Sequence, residues 1–136
     1  MTIPLIPSEL TAHQPPALLV DAILRVDSAG GAVRLRPGPL DALQLSEACA
    51  QAIACLLGAR ARQAAPGAPP ASGMLVGLKD VVCSRPARSG ELVTVETVST
   101  YSLGALGLHT AKAFGDDGAE LLSGEWKTMG ITAESR

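Results

Sequence analysis

The chain has 136 residues with 11 basic and 13 acidic side chains, a net charge of −2, which fits one domain spanning 1–136 with enough length for a real core. That charge leaves no basic surplus, and one Trp, one Tyr and one Phe leave no aromatic platforms, so nucleic acid is not an expected partner. Hydrophobic residues make up 47% and must build the core from Leu, Val, Ile and Ala, small side chains that let a helix lie close against a curved sheet.

Residues 1–10 (MTIPLIPSEL) read as an extended lead-in and a short helical turn that Ser8 can cap. They lack a basic n-region and are broken by Pro4 and Pro7, so no secretory signal is expected. Thr11 to Pro16, which includes His13, is held extended by its two prolines. Ala17 to Asp27 is rich in branched residues and reads as a strand, Ser28 to Gly31 as a turn, and Ala32 to Arg36 as its half-exposed hairpin partner. Pro37-Gly38-Pro39 ends that strand.

Leu40 to Arg60 (LDALQLSEACAQAIACLLGAR) is the one long segment with a clear helical period. Asp41, Gln44, Glu47 and Gln51, spaced three, three and four apart, form a polar stripe on a helix that is otherwise apolar from Ala48 onward. A helix of that composition is expected to be enclosed, so a carboxylate in its middle has to be paired, protonated or set at a cavity. Asp41 reads as a charge favoured by the helix dipole. Cys49 and Cys55 are six apart on this helix, poor geometry for a disulfide and no metal-ligand spacing. With Cys83 they read as buried small hydrophobes in a reducing compartment. No run reaches the roughly 18 apolar residues of a membrane span, and a cytoplasmic protein without membrane partners is expected.

Gln63 to Ser72 reads as a Pro/Ala/Gly surface linker. Four strands follow: Gly73 to Ser84, with Gly77 at a bulge or close approach, Glu91 to Tyr101, Leu108 to Phe114, and Ala119 to Ile131. Turns are expected at 86–90, 104–107 and Gly115-Asp116-Asp117-Gly118. Two strands, one buried helix and an antiparallel meander make an α+β arrangement, a sheet curled around a single helix.

Three stretches in register resemble one family. His13-Gln-Pro-Pro-Ala-Leu-Leu-Val-Asp21 resembles the opening strand of 3-hydroxyacyl-acyl-carrier-protein dehydratases, and Glu47-Ala-Cys-Ala-Gln51 is similar to the Glu-Ala-Met-Ala-Gln of their central helix. Gly77-Leu-Lys79 and Arg85-Pro-Ala-Arg-Ser-Gly-Glu-Leu92 are similar to their Gly-Ile-Asp and Pro-Val-Pro-Gly-Asp-Gln-Leu segments. The resemblance implies the hot-dog fold, a partner subunit joined edge to edge in a homodimer or heterodimer or a higher oligomer, an acyl carrier protein as the source of substrate, and neither cofactor nor metal. It also implies that Glu47, favoured in its protonated form by burial, donates a proton to the departing hydroxyl of a 3-hydroxyacyl thioester. The helix N-terminus would receive the thioester oxygen.

The family's Gly-His-Phe-Pro segment just before the helix is replaced here by Arg34-Leu-Arg-Pro-Gly-Pro-Leu40, without histidine. This pattern resembles the divergent branch linked to aryl polyene pigments. It leaves His13 as the candidate base and His109 as a strand residue facing solvent or the sheet pairing. The implied substrate contacts are Gln51, Gln44, Leu43 and Gly77, with the acyl chain along the apolar helix face. Arg85 and Arg88 are solvated turn residues or supply positive charge to phosphopantetheine or an acidic carrier. Two further readings stay open: an acyl thioesterase needing only the helix carboxylate and the helix N-terminus, and a non-catalytic subunit supporting an active partner.

Overall fold

The computed structural model describes residues 5–10, 17–67 and 73–130. His13 and its proline-rich neighbours, residues 68–72 of the expected linker, and Ile131 lie outside the described residues. α1 (Pro7–Leu10) is followed by β1 (Val20–Val26), β2 (Gly30–Leu35), the long helix α2 (Ala42–Ala64), β3 (Gly73–Cys83), β4 (Thr94–Leu103), β5 (Leu106–Phe114) and β6 (Glu120–Gly130). α1 starts at Pro7, a residue suited to a first helical position, so Ser8 lies inside its first turn rather than ahead of it.

The six strands form one antiparallel sheet in the order β1-β2-β4-β5-β6-β3. Strand residues alternate between the face toward α2 and the outer face. Val95, Ala113 and Leu122 share one inward row, while Glu96, Lys112 and Ser123 share the outward row beside it. The inward rows and α2 build the core. Leu45, Ala48, Cys49, Ala52, Ile53, Cys55, Leu56 and Ala59 are all at most 2% exposed and meet Val33, Leu35, Val93, Val95, Leu122 and Trp126. Each fully buried Leu or Ile contributes about 1.5–3 kcal/mol. By length and composition α2 could cross a bilayer, but its apolar residues are used here on the sheet.

Three local devices fix how α2 lies. Trp126, fully buried on β6, donates its indole N–H to the Ser46 carbonyl at 3.2 Å and so ties the first turns of the helix to the sheet. At the other end, Gly58 meets α1 so closely that a Cβ there would run into the Leu10 carbonyl. Arg62 then binds Glu9 through its carboxylate at 3.3 Å and its carbonyl at 3.1 Å. These contacts carry the helix to Ala64, four residues beyond the expected Arg60.

β3 is the far edge of the sheet and, among the described residues, pairs only with β6. Its pairing shifts register between Leu75 and Gly77 and again between Lys79 and Val82. The first shift puts the expected bulge beside Gly77, whereas no close approach requires glycine there: a Cβ would meet nothing nearer than Lys127 Cβ at 3.7 Å. Asp80, in the second, has φ 55. Leu75, Val76, Leu78 and Val82 on this edge are exposed.

Candidate active site

The approach to α2 is pinned before the helix begins. Leu40 and Ala87 exchange backbone hydrogen bonds at 3.2 and 2.8 Å, Gly38 N–H donates to the Glu91 carbonyl, and Gly90 N–H donates to that of Gly38. The 85–91 turn that provides these partners is closed by a charged clasp. Arg85 grips Glu91 bidentately at 2.8 and 2.9 Å, and the Glu91 carboxylate also accepts from the amides of Arg88 at 2.9 Å and Asp116 at 3.3 Å. Asp117 joins from the β5–β6 turn at 3.4 Å. Arg85, with the two amides, holds the Glu91 carboxyl down to about 2 against the opposing effect of its burial. The carboxylates of Glu91, Asp116 and Asp117 are close enough together to hold a metal ion, but the guanidinium of Arg85 bonds to those of Glu91 and Asp117.

α2 opens with a capping box. Asp41 Oδ1 accepts from the Gln44 amide at 2.8 Å, and Gln44 Oε1 accepts from the Asp41 amide at 3.0 Å, an arrangement typically contributing about 1 kcal/mol. Two members of the expected polar stripe therefore form the start of the helix. The other two lie farther along and differ sharply in exposure.

Gln51 is 1% exposed. Its Oε1 accepts from the Leu19 amide at 2.6 Å, and its Nε2 donates to the Ala17 carbonyl at 2.9 Å and to Glu47 Oε1 at 3.2 Å. Glu47 is exposed in the single chain, contrary to the expected enclosure, because the buried side of α2 is centred on Leu45, Ala52 and Leu56. The opposite side runs through Leu43, Glu47, Ala50, Ala54, Leu57 and Ala61, residues three or four apart and none of them fully buried. This open stripe is apolar except for Glu47. Leu43 at its beginning is 80% exposed, and on the helix-facing side of the neighbouring edge strand Leu75 and Leu78 are 43% and 50% exposed. Together they make an uncovered apolar wall with one carboxylate set into it.

His109 points inward rather than to solvent. It is 4% exposed, opposite Trp126 on β6, with Nε2 3.3 Å from the Thr128 hydroxyl. Burial, and then the charge of Arg60, push its pKa below the usual 6.5. Arg85 is committed to the clasp, while Arg88 is exposed on the same turn. Burial pushes the thiols of Cys49 and Cys55 up to about 12, in keeping with inert core residues.

Two parts of this region escaped the sequence. The open stripe had a signal, the three-and-four spacing from Leu43 to Ala61, but its orientation depends on where the sheet lies. The bonds from Gln51 to Ala17 and Leu19 had none, since they join positions 34 and 32 residues apart.

A family model described as ApeP-like, ApeP dehydratase, matches residues 5–130. Among solved structures, a chain of the dehydratase heterocomplex ApeI:P from Xenorhabdus doucetiae superposes with a TM-score of 0.84 at 19% identity, covering 99% of this chain and 95% of that one. The HP0420 homologue from Helicobacter felis gives 0.70 at 13% identity, covering 96% and 91%. A hypothetical thioesterase with coenzyme A from Streptococcus pneumoniae TIGR4 gives 0.59 at 9%, covering 80% and 84%. At these identities the structural matches establish the hot-dog fold. No curated protein sequence matches the chain.

Proposed function

The chain belongs to the ApeP-like dehydratase family, and from that premise we propose that it is a soluble, cytoplasmic hot-dog dehydratase subunit that removes water from a 3-hydroxyacyl thioester in aryl polyene biosynthesis. The thioester is presented by an acyl carrier protein. The observation that carries this reading is the position of Glu47, the one charged side chain on the open apolar stripe of α2. An acyl chain lying along Ala50, Ala54 and Leu57 brings its third carbon to this carboxylic acid. Glu47 then protonates the hydroxyl that leaves as water, while a base takes the proton next to the thioester carbonyl. The start of α2 offers its first amides to the carbonyl oxygen as charge develops there.

The wall around Glu47 is uncovered in one chain, and the β3 edge beside it is apolar and unpaired on one side. We propose that a second hot-dog subunit pairs along β3 and closes the site. Arg34 to Leu40 contains no histidine and His109 is buried against Thr128. The base is therefore His13 or an imidazole of the partner subunit, and the second origin favours a heterodimer. Arg88 is the cation best placed to meet phosphopantetheine, since Arg85 is held by Glu91.

The test incubates the chain, alone and with a co-expressed hot-dog partner, with 3-hydroxyacyl- and saturated acyl-carrier thioesters. Enoyl product from the pair, lost in Glu47→Gln, is the expected result. Enoyl formation that survives His13→Ala moves the base to the partner. Release of free thiol without enoyl product overturns the dehydratase reading in favour of a thioesterase.

A further inference from the structure

We propose that Thr128, backed by His109, is a specificity subsite for a second hydroxyl on the acyl group, one other than the hydroxyl that leaves. The inference rests on the dehydratase reading above and names the kind of acyl group the site takes.

The register of the sheet places the pair. One inward row, Ile23, Val33, Val95, Ala113 and Leu122, is apolar from end to end. Farther along the strands the pattern changes. Leu78 and Trp126 share an inward row with His109 and Ser99, and the last inward row but for the strand ends runs Leu75, Thr128, Gly107, Ser102. The apolar wall on β3 thus turns polar one strand farther in. Leu75 and Ser102 are exposed and Thr128 is half-buried, so this row extends past the cover that α2 gives the core. His109 is 4% exposed, with Nε2 3.3 Å from the Thr128 hydroxyl. Its ring lies over Gly107, where a Cβ would come within 2.8 Å of Nε2. The missing side chain makes room for the imidazole and holds it beside the hydroxyl.

An apolar pair would fill these two positions without the desolvation that an imidazole and a hydroxyl incur. What the polar pair adds is a choice of hydrogen-bonding role. Burial and the charge of Arg60 both favour neutral His109. In one tautomer Nε2–H donates to Thr128 Oγ1, and the threonine proton is left to donate onward. In the other the threonine donates to Nε2, and its oxygen is left to accept. A group that can do either matches a hydroxyl, which itself donates and accepts.

The leaving hydroxyl belongs to the other flank of the helix. Gln51 turns toward Ala17 and Leu19, whereas the Ser46 carbonyl accepts from Trp126, the neighbour of His109 in the sheet. At 100° per residue, Glu47 stands about 40° from Gln51 and about 100° from Ser46 around α2. An acyl group on the open stripe therefore has the proton donor on one side and the Thr128 hydroxyl on the other.

The test uses acyl pantetheine amides, which neither a dehydratase nor a thioesterase consumes, in two sets of matched length. One set ends in methyl or hydroxymethyl, the other in phenyl or hydroxyphenyl. Calorimetry on the chain, alone and with its co-expressed partner, is expected to show about tenfold tighter binding of the hydroxylated member in at least one set. The set that shows it tells whether the hydroxyl sits on a chain or on a ring. Thr128→Val is expected to bring the two members within about twofold of one another, and Thr128→Ser to keep the preference. Equal binding within both sets by wild type, a preference that survives Thr128→Val, or binding of none of the four overturns the proposal. A preference lost in Thr128→Val, in an assembly that makes no enoyl product, leaves the subsite standing and refutes the dehydratase reading alone.

Discussion

Glu91 and Glu47 are two carboxylates on the same molecule with opposite surroundings, and the difference separates a brace from the proposed reagent. Glu91 is 3% exposed, gripped by a guanidinium and by two backbone amides. Every lone-pair direction has a donor, and the charge is locked in place. Glu47 stands on an open apolar wall and meets a neutral amide from Gln51 at 3.2 Å. The first carboxylate is built into the frame of its turn, whereas the second is exposed on the face of the helix. The brace nevertheless serves the reagent: the turn closed by Arg85 and Glu91 pairs with Gly38 and Leu40, and so fixes where α2 starts.

The sharpest way to break this contrast is to neutralise each carboxylate in turn. Glu47→Gln is expected to cut dehydration by the assembled pair about 10²- to 10⁴-fold while stability, read by urea unfolding, changes by no more than about 0.5 kcal/mol. Glu91→Gln is expected to do the reverse, lowering the melting temperature markedly and leaving activity in proportion to folded protein. A stability loss in the first variant, or normal stability in the second, dissolves the distinction.

The clasp can next be separated from its charge. Arg85→Met alone leaves Glu91 buried without its cation and is expected to destabilise about as strongly as Glu91→Gln. The pair Arg85→Met with Glu91→Leu is expected to regain much of the loss, because two apolar groups have no unmet desolvation. A double variant no better than the single ones shows that the hydrogen bonds to Arg88 and Asp116, rather than the ion pair, carry the stability.

Acid titration gives a smaller effect. Since Arg85 holds the folded Glu91 at about 2 against an ordinary 4.5, the clasp contributes fully above pH 4.5 and is lost as pH falls toward 2. Asp117, lowered mainly by its hydrogen bond from the Ala119 amide, adds to the same limb. Urea unfolding midpoints should fall across this window in wild type and in Glu47→Gln, and fall less in Glu91→Gln.

His109, buried against Thr128, supplies the smallest effect. Burial and Arg60 lower its folded pKa below 6.5, so the unfolded chain binds the proton more readily and stability declines as pH drops through 6.5. His109→Asn is expected to flatten that decline, measured as the change in unfolding midpoint between pH 7.5 and 5.5.

Much of the architecture was legible from local chemistry. The helical period of 40–60, the β-branched runs and the Gly-Asp-Asp-Gly turn all fall where the elements stand, and Gly118 takes the left-handed φ of 82 that such a turn needs. The misplacements have tertiary causes. β4 begins at Thr94 rather than Glu91 because Glu91 is drawn into the clasp, and α2 outruns Arg60 because Arg62 finds Glu9. At the site, periodicity grouped Asp41, Gln44, Glu47 and Gln51 on one face, yet it is blind to what covers each. Residues from the strand-1 approach bury Gln51, the helix start absorbs Asp41 and Gln44, and Glu47 is left exposed among the described residues. The clasp was equally out of reach, for Asp117 lies 32 residues from Arg85.

The position of β3 has a consequence for biosynthesis. It follows α2 in sequence, yet its sheet neighbour is β6, the last strand to leave the ribosome. While residues 84–119 are being made, an eleven-residue strand with Leu75, Val76, Leu78 and Val82 has both edges open. During that interval, the bulges and the turned backbone at Asp80 interrupt the straight template on which nascent chains could stack.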